Sequence, residues 1–199
     1  DLQAKGPPSP GELALLEPWR AKLDPAVFGP PPKQPDTDPP GSLRANLLQA
    51  RALLQQAGWT YRDGALRNEK GEPFRFEILD DSGSSAQMEP IIATFIRNLR
   101  KLGITATFRV SDFAVYQKRL DAFDFDTTTI RMPDVQVPGS EQIDRFGSKA
   151  ADTHGSDNMI GLKSPAVDAI LNALVHAQTR EQLVDATHAL DRVLMHGYY

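Results

Sequence analysis

The chain has 199 residues, of which 24% are charged, and its recurring aliphatic positions exclude general disorder. A formal net charge of −4 gives no sign of the basic surface that nucleic-acid binding requires, and no run of about eighteen apolar residues is present to span a membrane. Cysteine is absent, which excludes disulfides, thiolate catalysis and thiolate zinc sites but is compatible with either the cytosol or the periplasm.

The first 41 residues differ from the rest in composition, because they hold eleven of the sixteen prolines. Proline at this density prevents regular structure, so the sequence predicts a Pro-rich extended arm over residues 1–41 and a second region over residues 42–199. An apolar stripe in the arm consists of Leu13, Leu15, Leu16 and Trp19. It is compatible with a short helix around Gly11 to Lys22 that lies against the main domain. A polyproline recognition motif is the alternative for the arm.

A helix and a hairpin are predicted at the start of the second region. From Ser42 onward, leucine recurs at helical spacing until Gly58. Asp63 and Gly64 then lie between two short extended segments, and this dipeptide is typical of a tight hairpin turn.

Two strands joined by a helix follow. Apolar and polar residues alternate over Phe74–Asp80, which predicts a strand, and apolar residues then recur at helical spacing up to Gly103. Alternation returns over Ile104–Val110. A strand, a helix and a strand in this order predict a right-handed crossover between parallel strands, which belongs to the α/β class.

The next predicted elements are a short helix and a third strand. Ser111 is expected to cap a helix that runs roughly from Asp112 to Asp121, and the strand is expected to cover Phe123–Ile130. A segment interrupted by proline and glycine, Arg131 to Gly147, comes next. We expect function in this segment, because it is too long for a simple connection.

The candidate binding residues lie in that segment. Ligands of open α/β sheets bind beyond the carboxyl ends of the strands, which here are predicted at Asp80, at Ser111 and from Arg131 onward. The side chains that we predict to contact a ligand are Arg131, Met132, Asp134, Gln136, Ser140 and Glu141. Their charged and polar groups suit peptide termini and backbone groups, and the methionine suits an apolar wall. For each polar member, a solvated or loop-bracing side chain is the alternative.

The sequence offers no clear constellation for catalysis or metal binding. Asp80 and Asp81 are adjacent at a strand end and point apart, which does not suit paired acid–base work. Asp185 and His188 share a helix face, but a third ligand at helical spacing is missing. We therefore predict no catalytic residue, no metal and no cofactor, and we interpret the histidines of the last two helices as surface or helix-end residues.

Two helices close the chain. Ser164 and Pro165 begin the first, and Thr179 with Gln182 forms a capping box at the start of the second. We expect both helices to cover one face of the sheet, with a partner-binding hairpin as the alternative. The chain ends at Tyr199, where a strand is expected to begin, so we interpret it as a fragment of a longer protein.

Short motifs occur in a characteristic order along residues 42–199. They are Ala45-Asn46-Leu47-Leu48, Ala57-Gly58-Trp59, Asp63-Gly64, Gly71-Glu72-Pro73-Phe74, Phe123-Asp124-Phe125-Asp126 and Gly155-Ser156-Asp157-Asn158. The order resembles the second lobe of bacterial extracellular solute-binding proteins of the peptide, dipeptide and nickel class, which serve ABC importers. Pro138 to Gln142 and the helix from Ala186 to Leu194 are most similar to the oligopeptide-binding branch associated with microcin uptake.

The resemblance implies a fold and a function. The expected fold is a class II-like lobe of a periplasmic binding protein, with a mixed or mostly parallel sheet flanked by helices and with the first lobe missing. The expected partners are a small-molecule or peptide ligand, that missing lobe and a membrane permease, and the expected location is the periplasm. In the family a Gly-Trp pair and an Asp often follow the third strand, but here Arg131-Met132 stands in place of the pair, and Asp134 approximates the acidic position. The alternatives are a hydrolase or metalloenzyme domain and a Pro-rich interaction scaffold.

Overall fold

The structure is a computed structural model that describes residues 2–83, 85–130 and 137–199. It divides into two compact units, one formed by Gln34–Met132 and the other by Asp1–Lys33 together with Pro133–Tyr199. The division into an arm over residues 1–41 and a lobe over residues 42–199 stays a prediction.

The described part of the chain contains both helices and strands. The helices are α1 (Pro10–Leu16), α2 (Leu43–Gln56), α3 (Ser85–Lys101), α4 (Phe113–Asp121), α5 (Glu141–Phe146), α6 (Pro165–Val175) and α7 (Arg180–Gly197). The strands are β1 (Thr60–Arg62), β2 (Ala65–Arg67), β3 (Arg75–Asp81), β4 (Thr105–Ser111) and β5 (Thr127–Thr128). Among the described helices, none is both long and apolar enough to cross a membrane.

A parallel sheet forms the centre of the unit Gln34–Met132. Its strand order is β4-β3-β5, and both neighbours of β3 run parallel to it. Successive right-handed crossovers to opposite sides of β3 place α3 on one face of the sheet and α4 on the other. The core on the α3 face contains Ile78, Ile92, Ile96 and Ala106. The predicted α/β class with parallel strands is therefore confirmed.

The hairpin in this unit has the predicted turn. β1 and β2 pair antiparallel, and Asp63 and Gly64 both have positive φ, 50° and 77°. Two positive φ values in a two-residue loop define a type I′ turn, whose twist matches that of the flanking strands.

The residue that caps α4 lies one position after the predicted one. Ser111 is still part of the sheet, where it is registered with Asp81 and its carbonyl accepts a hydrogen bond from Ser82 N at 2.9 Å. Asp112 takes the capping position instead, and its carboxylate accepts from Val115 N at 3.0 Å. The prediction of Ser111 as the cap was wrong because pairing with β3 continues to that residue.

The third strand is much shorter than predicted, because its first residues complete the end of α4. Phe123 has a left-handed φ of 53°, and Asp124 N donates to Arg119 O at 2.9 Å. The side chain of Asp126 accepts from Glu77 N at 2.8 Å, where a strand would pair through its backbone. Only Thr127–Thr128 forms β5.

The predicted loop from Arg131 to Gly147 is not irregular throughout, since it contains α5. Residues 131–136 lie outside the described part of the chain. The short helix was missed because Pro138 and Gly139, which precede it, favour a loop by composition.

The other unit has a helical core. Its buried members are Leu16, Val27, Leu162, Val167, Ile170, Leu171, Leu174, Ala186, Ala189, Leu190 and Val193. The apolar stripes of α6 and α7 thus pack against each other and against the first 33 residues, and in the described part of the chain this cluster includes no strand residue. The sheet belongs to the other unit, so the prediction that the two helices cover one of its faces stays a prediction. The short helix considered around Gly11 to Lys22 is present but shorter, because α1 ends at Leu16 and a 3-10 turn follows over Glu17–Trp19.

Candidate functional site

The candidate site lies at the carboxyl ends of β3 and β5. The chain leaves β3 through α3 to reach β4 on one side, and it then returns through α4 to reach β5 on the other side. The direction of winding therefore reverses between β3 and β5. Open α/β sheets bind ligands beyond the carboxyl ends of the strands at such a switch point.

A set of hydrogen bonds joins the two strand ends at this point. The side chain of Asp80 is buried, and its Oδ1 accepts a hydrogen bond from Thr129 Oγ1 at 3.1 Å. Thr128 Oγ1 donates to Leu79 O at 3.0 Å, and the hydroxyl of Tyr116 donates to Thr129 O at 3.0 Å. We call Asp80, Tyr116, Thr128 and Thr129 the carboxyl-edge network. It holds the chain next to β3 after the two paired residues of β5 have ended.

Tyr116 is suited to donate in this network. Burial raises the pKa of its hydroxyl above the ordinary value, and the negative charges of Asp80 and Asp81 add to the effect, whereas the hydrogen bond with Thr128 acts in the opposite direction. The hydroxyl therefore stays protonated at neutral pH and keeps its hydrogen bond to the carbonyl of Thr129.

The neighbouring acidic side chains accept hydrogen bonds from backbone N–H groups at the same edge. Asp81 Oδ1 accepts from Gly83 N at 2.6 Å, and Asp112 caps α4. The carboxylate of Asp81 is thus bound to the backbone of the turn after β3, and that of Asp112 to the first turn of α4. Asp80 is buried like Ile78 and Leu79 before it, whereas Asp81 at the end of β3 is only partly buried.

Only two of the predicted site residues fall in the described part of the chain. Arg131, Met132, Asp134 and Gln136 lie outside it, and Ser140 and Glu141 lie at the start of α5. Ser140 is exposed.

The carboxylate of Glu141 has partners within the start of α5. Its Oε1 accepts from Gly139 N at 2.8 Å and from the side-chain amide of Gln142 at 3.1 Å. The hydrogen bond from Gly139 is the main reason that the pKa of Glu141 is lowered, and its own N–H, Gln142 and Arg145 lower the pKa further. Such a carboxylate braces the turn before α5.

In Glu141→Gln the free energy of unfolding is expected to depend less on pH in the acid range. Because the folded-state pKa lies below the ordinary value of 4.5, the stabilisation is fully present above that pH and is lost as the pH falls through the lowered pKa. At neutral pH the variant should lose roughly 0.3–1 kcal/mol, as for a charge near a helix N-terminus. Urea unfolding between pH 3 and 7 measures this. Asp144→Asn makes the same charge change at an exposed position of α5, and an equal slope in both variants would contradict the bracing role.

The structure places the candidate metal ligands in separate interactions. Asp185 Oδ1 accepts from Ser9 Oγ at 2.7 Å, whereas His188 Nδ1 lies 3.3 Å from Glu12 Oε1. Within residues 2–83, 85–130 and 137–199, no group of three or more His, Cys, Asp or Glu side chains could hold a metal ion.

The sequence reasoning missed Tyr116, Thr128 and Thr129. Tyr116 lies within the helix predicted from Asp112 to Asp121 and was given no role in the site; at 6% exposed it belongs to the buried face of α4. The threonines were interpreted as ordinary strand residues. The signal that could have identified them is the run of three threonines at the predicted carboxyl end of a strand, next to a strand that ends in two aspartates.

Comparison with known families gives a match over more than half of the chain. The profile of the family described as "Bacterial extracellular solute-binding proteins, family 5 Middle" matches residues 19–153. The match includes all the strands, α2 to α5 and the carboxyl-edge network.

Individual relatives match over nearly the whole chain. The probable peptide-binding protein YejA of Agrobacterium fabrum is 38% identical over 200 aligned residues, which cover 100% of this chain and 32% of that protein. The peptidoglycan-binding protein YepA of the same organism is 31% identical, and the alignment covers 94% of this chain and 30% of that protein. The chain thus spans about a third of the length of these relatives.

A solved structure has the same fold. The oligopeptide-binding protein AppA of Bacillus subtilis, determined in complex with a nonapeptide, superposes with a TM-score of 0.67 at 19% identity. The superposition covers 93% of this chain and 37% of AppA.

Proposed function

The chain belongs to the bacterial extracellular solute-binding proteins of family 5, and from this membership we propose that it is part of the substrate-binding component of an ABC import system. In this proposal the whole protein captures short peptides or peptide-like solutes between two lobes, in the periplasm, and delivers them to a membrane permease. The present chain contributes most of the second lobe.

Family membership settles three of the sequence-based predictions. The recognition of the family is confirmed by the profile match, and the fold class is confirmed by the superposition on AppA. Members of the family are binding proteins rather than enzymes, so the prediction that the chain is not an enzyme is also confirmed.

Family membership carries the proposal, and the position of the switch point supports the proposed location of the solute site. The family match contains the sheet whose strands β3 and β5 end there. The chain continues from this edge directly into the segment in which Arg131, Met132, Asp134 and Gln136 are proposed to contact the solute. Ser140 and Glu141 are proposed as further contacts, with Glu141 acting from its braced position at the start of α5.

The peptide class is supported by two relatives. YejA of Agrobacterium fabrum is named a probable peptide-binding protein, and AppA was determined with a nonapeptide. YepA is named a peptidoglycan-binding protein, and we therefore propose peptides of peptidoglycan as a second candidate class for this chain. A scaffold function for the Pro-rich arm has less support, because Ala4, Leu16 and Val27 of that segment are buried within its own unit.

We expect the full-length protein to be stabilised by short peptides and to leave them intact. Binding to the folded state alone raises the melting temperature by mass action, and the stabilisation is about 2.7 kcal/mol at a peptide concentration 100 times Kd. The measurement is thermal unfolding with trialanine, Ala-Lys-Ala, Ala-Glu-Ala, pentaalanine and the peptidoglycan tripeptide, followed by mass spectrometry of each peptide.

Free alanine and maltose serve as matched solutes outside the proposed class. Stabilisation by peptides only, with the peptides recovered uncleaved, supports the proposal. Cleavage of a peptide, or equal shifts with maltose and peptides, would contradict it.

A further inference from the structure

The carboxyl-edge network contains an ionisable group that no binding prediction used. Asp80 is 1% exposed, and a carboxylate is costly to bury unless hydrogen bonds satisfy it. One of its oxygens accepts from Thr129 Oγ1, across the gap between β3 and the residue that follows β5.

The backbone of the same residue is held a second time. The carbonyl of Thr129 accepts from the hydroxyl of Tyr116, which belongs to α4, on the face of the sheet opposite α3. Thr129 is thus held by its side chain from β3 and by its backbone from α4, although β5 pairs with β3 only through Thr127 and Thr128.

We propose that Thr129 and Asp80 are positioning residues for solute binding: their hydrogen bond fixes the chain where it leaves β5, and solute affinity depends on it. This inference rests on the proposed function, and it assigns a role to side chains that are not themselves predicted to contact the solute. The buried carboxylate acts through Thr129, and the hydroxyl of Thr129 fixes the direction in which the chain leaves the sheet at Ile130.

The geometry favours positioning over simple cross-linking of the sheet. Backbone pairing of β5 with β3 stops at Thr128, so the side chain of Thr129 replaces a ladder hydrogen bond at the one place where the chain departs. The hydrogen bond from Thr129 to Asp80 is also directional, so a displacement of Thr129 would weaken it.

The test compares Thr129→Val with Thr129→Ser in the full-length protein. Valine keeps the shape and removes the donor, whereas serine keeps the donor. Thr105→Val makes the same change at an exposed position of β4 and is the matched control. The first measurement is hydrogen exchange of the segment 127–130, which requires no solute. We expect exchange about tenfold faster in Thr129→Val, and parental exchange in Thr129→Ser and Thr105→Val.

The second measurement is the Kd for each peptide of the panel, by calorimetry at a temperature where every variant is folded. We expect Kd to rise about tenfold in Thr129→Val and to return to within about twofold of the parent in Thr129→Ser.

The two measurements separate the inference from the proposed function. A parent that binds no panel peptide would contradict the proposed function, and exchange of the segment 127–130 would then still decide whether Thr129 fixes the strand exit. If the segment 127–130 exchanged at the same rate in Thr129→Val as in the parent, the positioning role would be overturned. A parent that binds and a Thr129→Val variant with unchanged Kd would also overturn it.

Discussion

Replacing Arg192 by methionine is expected to lower the free energy of unfolding by about 3–5 kcal/mol, because it removes one partner of a buried ion pair. The guanidinium of Arg192 is fully buried and donates through Nε to the carboxylate of Glu12, which is itself buried. Its other nitrogens donate to Gly29 O at 2.8 Å and to Lys5 O at 3.3 Å. One side chain of α7 therefore holds three places along the first 33 residues. Urea unfolding followed by circular dichroism measures the loss.

A double-mutant cycle with Glu12→Gln separates the ion pair from lost packing. Arg192→Met retains most of the apolar volume, so a coupling energy well above zero would assign the loss to the pair with Glu12. Arg20→Met is the matched control, because Arg20 and Glu17 form an exposed pair in the same unit. Its loss should be much smaller, since solvent screens exposed pairs. Equal losses in Arg192→Met and Arg20→Met would contradict the account of a buried, structural arginine.

This ion pair also shows where sequence reasoning stops. Glu12 and Arg192 are 180 positions apart, and nothing local distinguishes Arg192 from an arginine on the solvent face of α7. Composition predicted an arm without regular structure, but it could not indicate which side chains of α7 would bind that arm. Contacts between distant segments follow from the folded topology, which propensity and periodicity do not contain.

Local signals predicted the starts of α6 and α7 correctly. The side chain of Ser164 caps α6 and that of Thr179 caps α7, as their positions before apolar periodic runs indicated. Such caps can be predicted because donor and acceptor lie within three residues of one another. The prediction of Ser111 as the cap of α4 failed because the position of that cap depends on how far β4 pairs with β3, which is not a local property.

The candidate site could be predicted to the level of a sheet edge and no further. The rule for open α/β sheets indicated the carboxyl ends of the strands, and the switch point lies there. The particular hydrogen bonds of Asp80, Tyr116 and Thr129 depend on β5 lying beside β3, which the order of elements along the chain does not determine by itself.

A motif that carried the resemblance also proved to be structural. Asn158 of Gly155-Ser156-Asp157-Asn158 is fully buried, and its side-chain amide donates to Gly147 O and Leu162 O at 3.0 Å each. Its Oδ1 accepts from Leu162 N at 3.0 Å. The side chain satisfies backbone groups of two loop segments that have no regular pairing. Asn158 therefore has a structural role in joining these loop segments, and the motif gives no evidence about the solute.

In the unit Gln34–Met132, Ile92→Ala should lower the free energy of unfolding by about 2–5 kcal/mol, through lost burial and the cavity that remains. Ile92 is 5% exposed and belongs to the core between α3 and the sheet, together with Ile78 and Ala106. The adjacent Ile91 is 63% exposed, so Ile91→Ala makes the same substitution in the same helix with almost no loss. Urea unfolding compares the two, and equal losses would contradict the assigned core.

Ile92→Ala also tests whether the expected effect of Thr129→Val is only a loss of stability. Ile92 contributes to the core and lies outside the carboxyl-edge network, so its replacement should reduce stability and leave the Kd for panel peptides unchanged at a temperature where the protein stays folded. Thr129→Val should show the opposite balance, with a smaller loss of stability and a higher Kd, because it removes a hydrogen bond without opening a core cavity. If Kd instead rose in proportion to lost stability in both variants, affinity would depend on the stability of the whole unit, and the hydrogen bond between Thr129 and Asp80 would have no separate role in positioning.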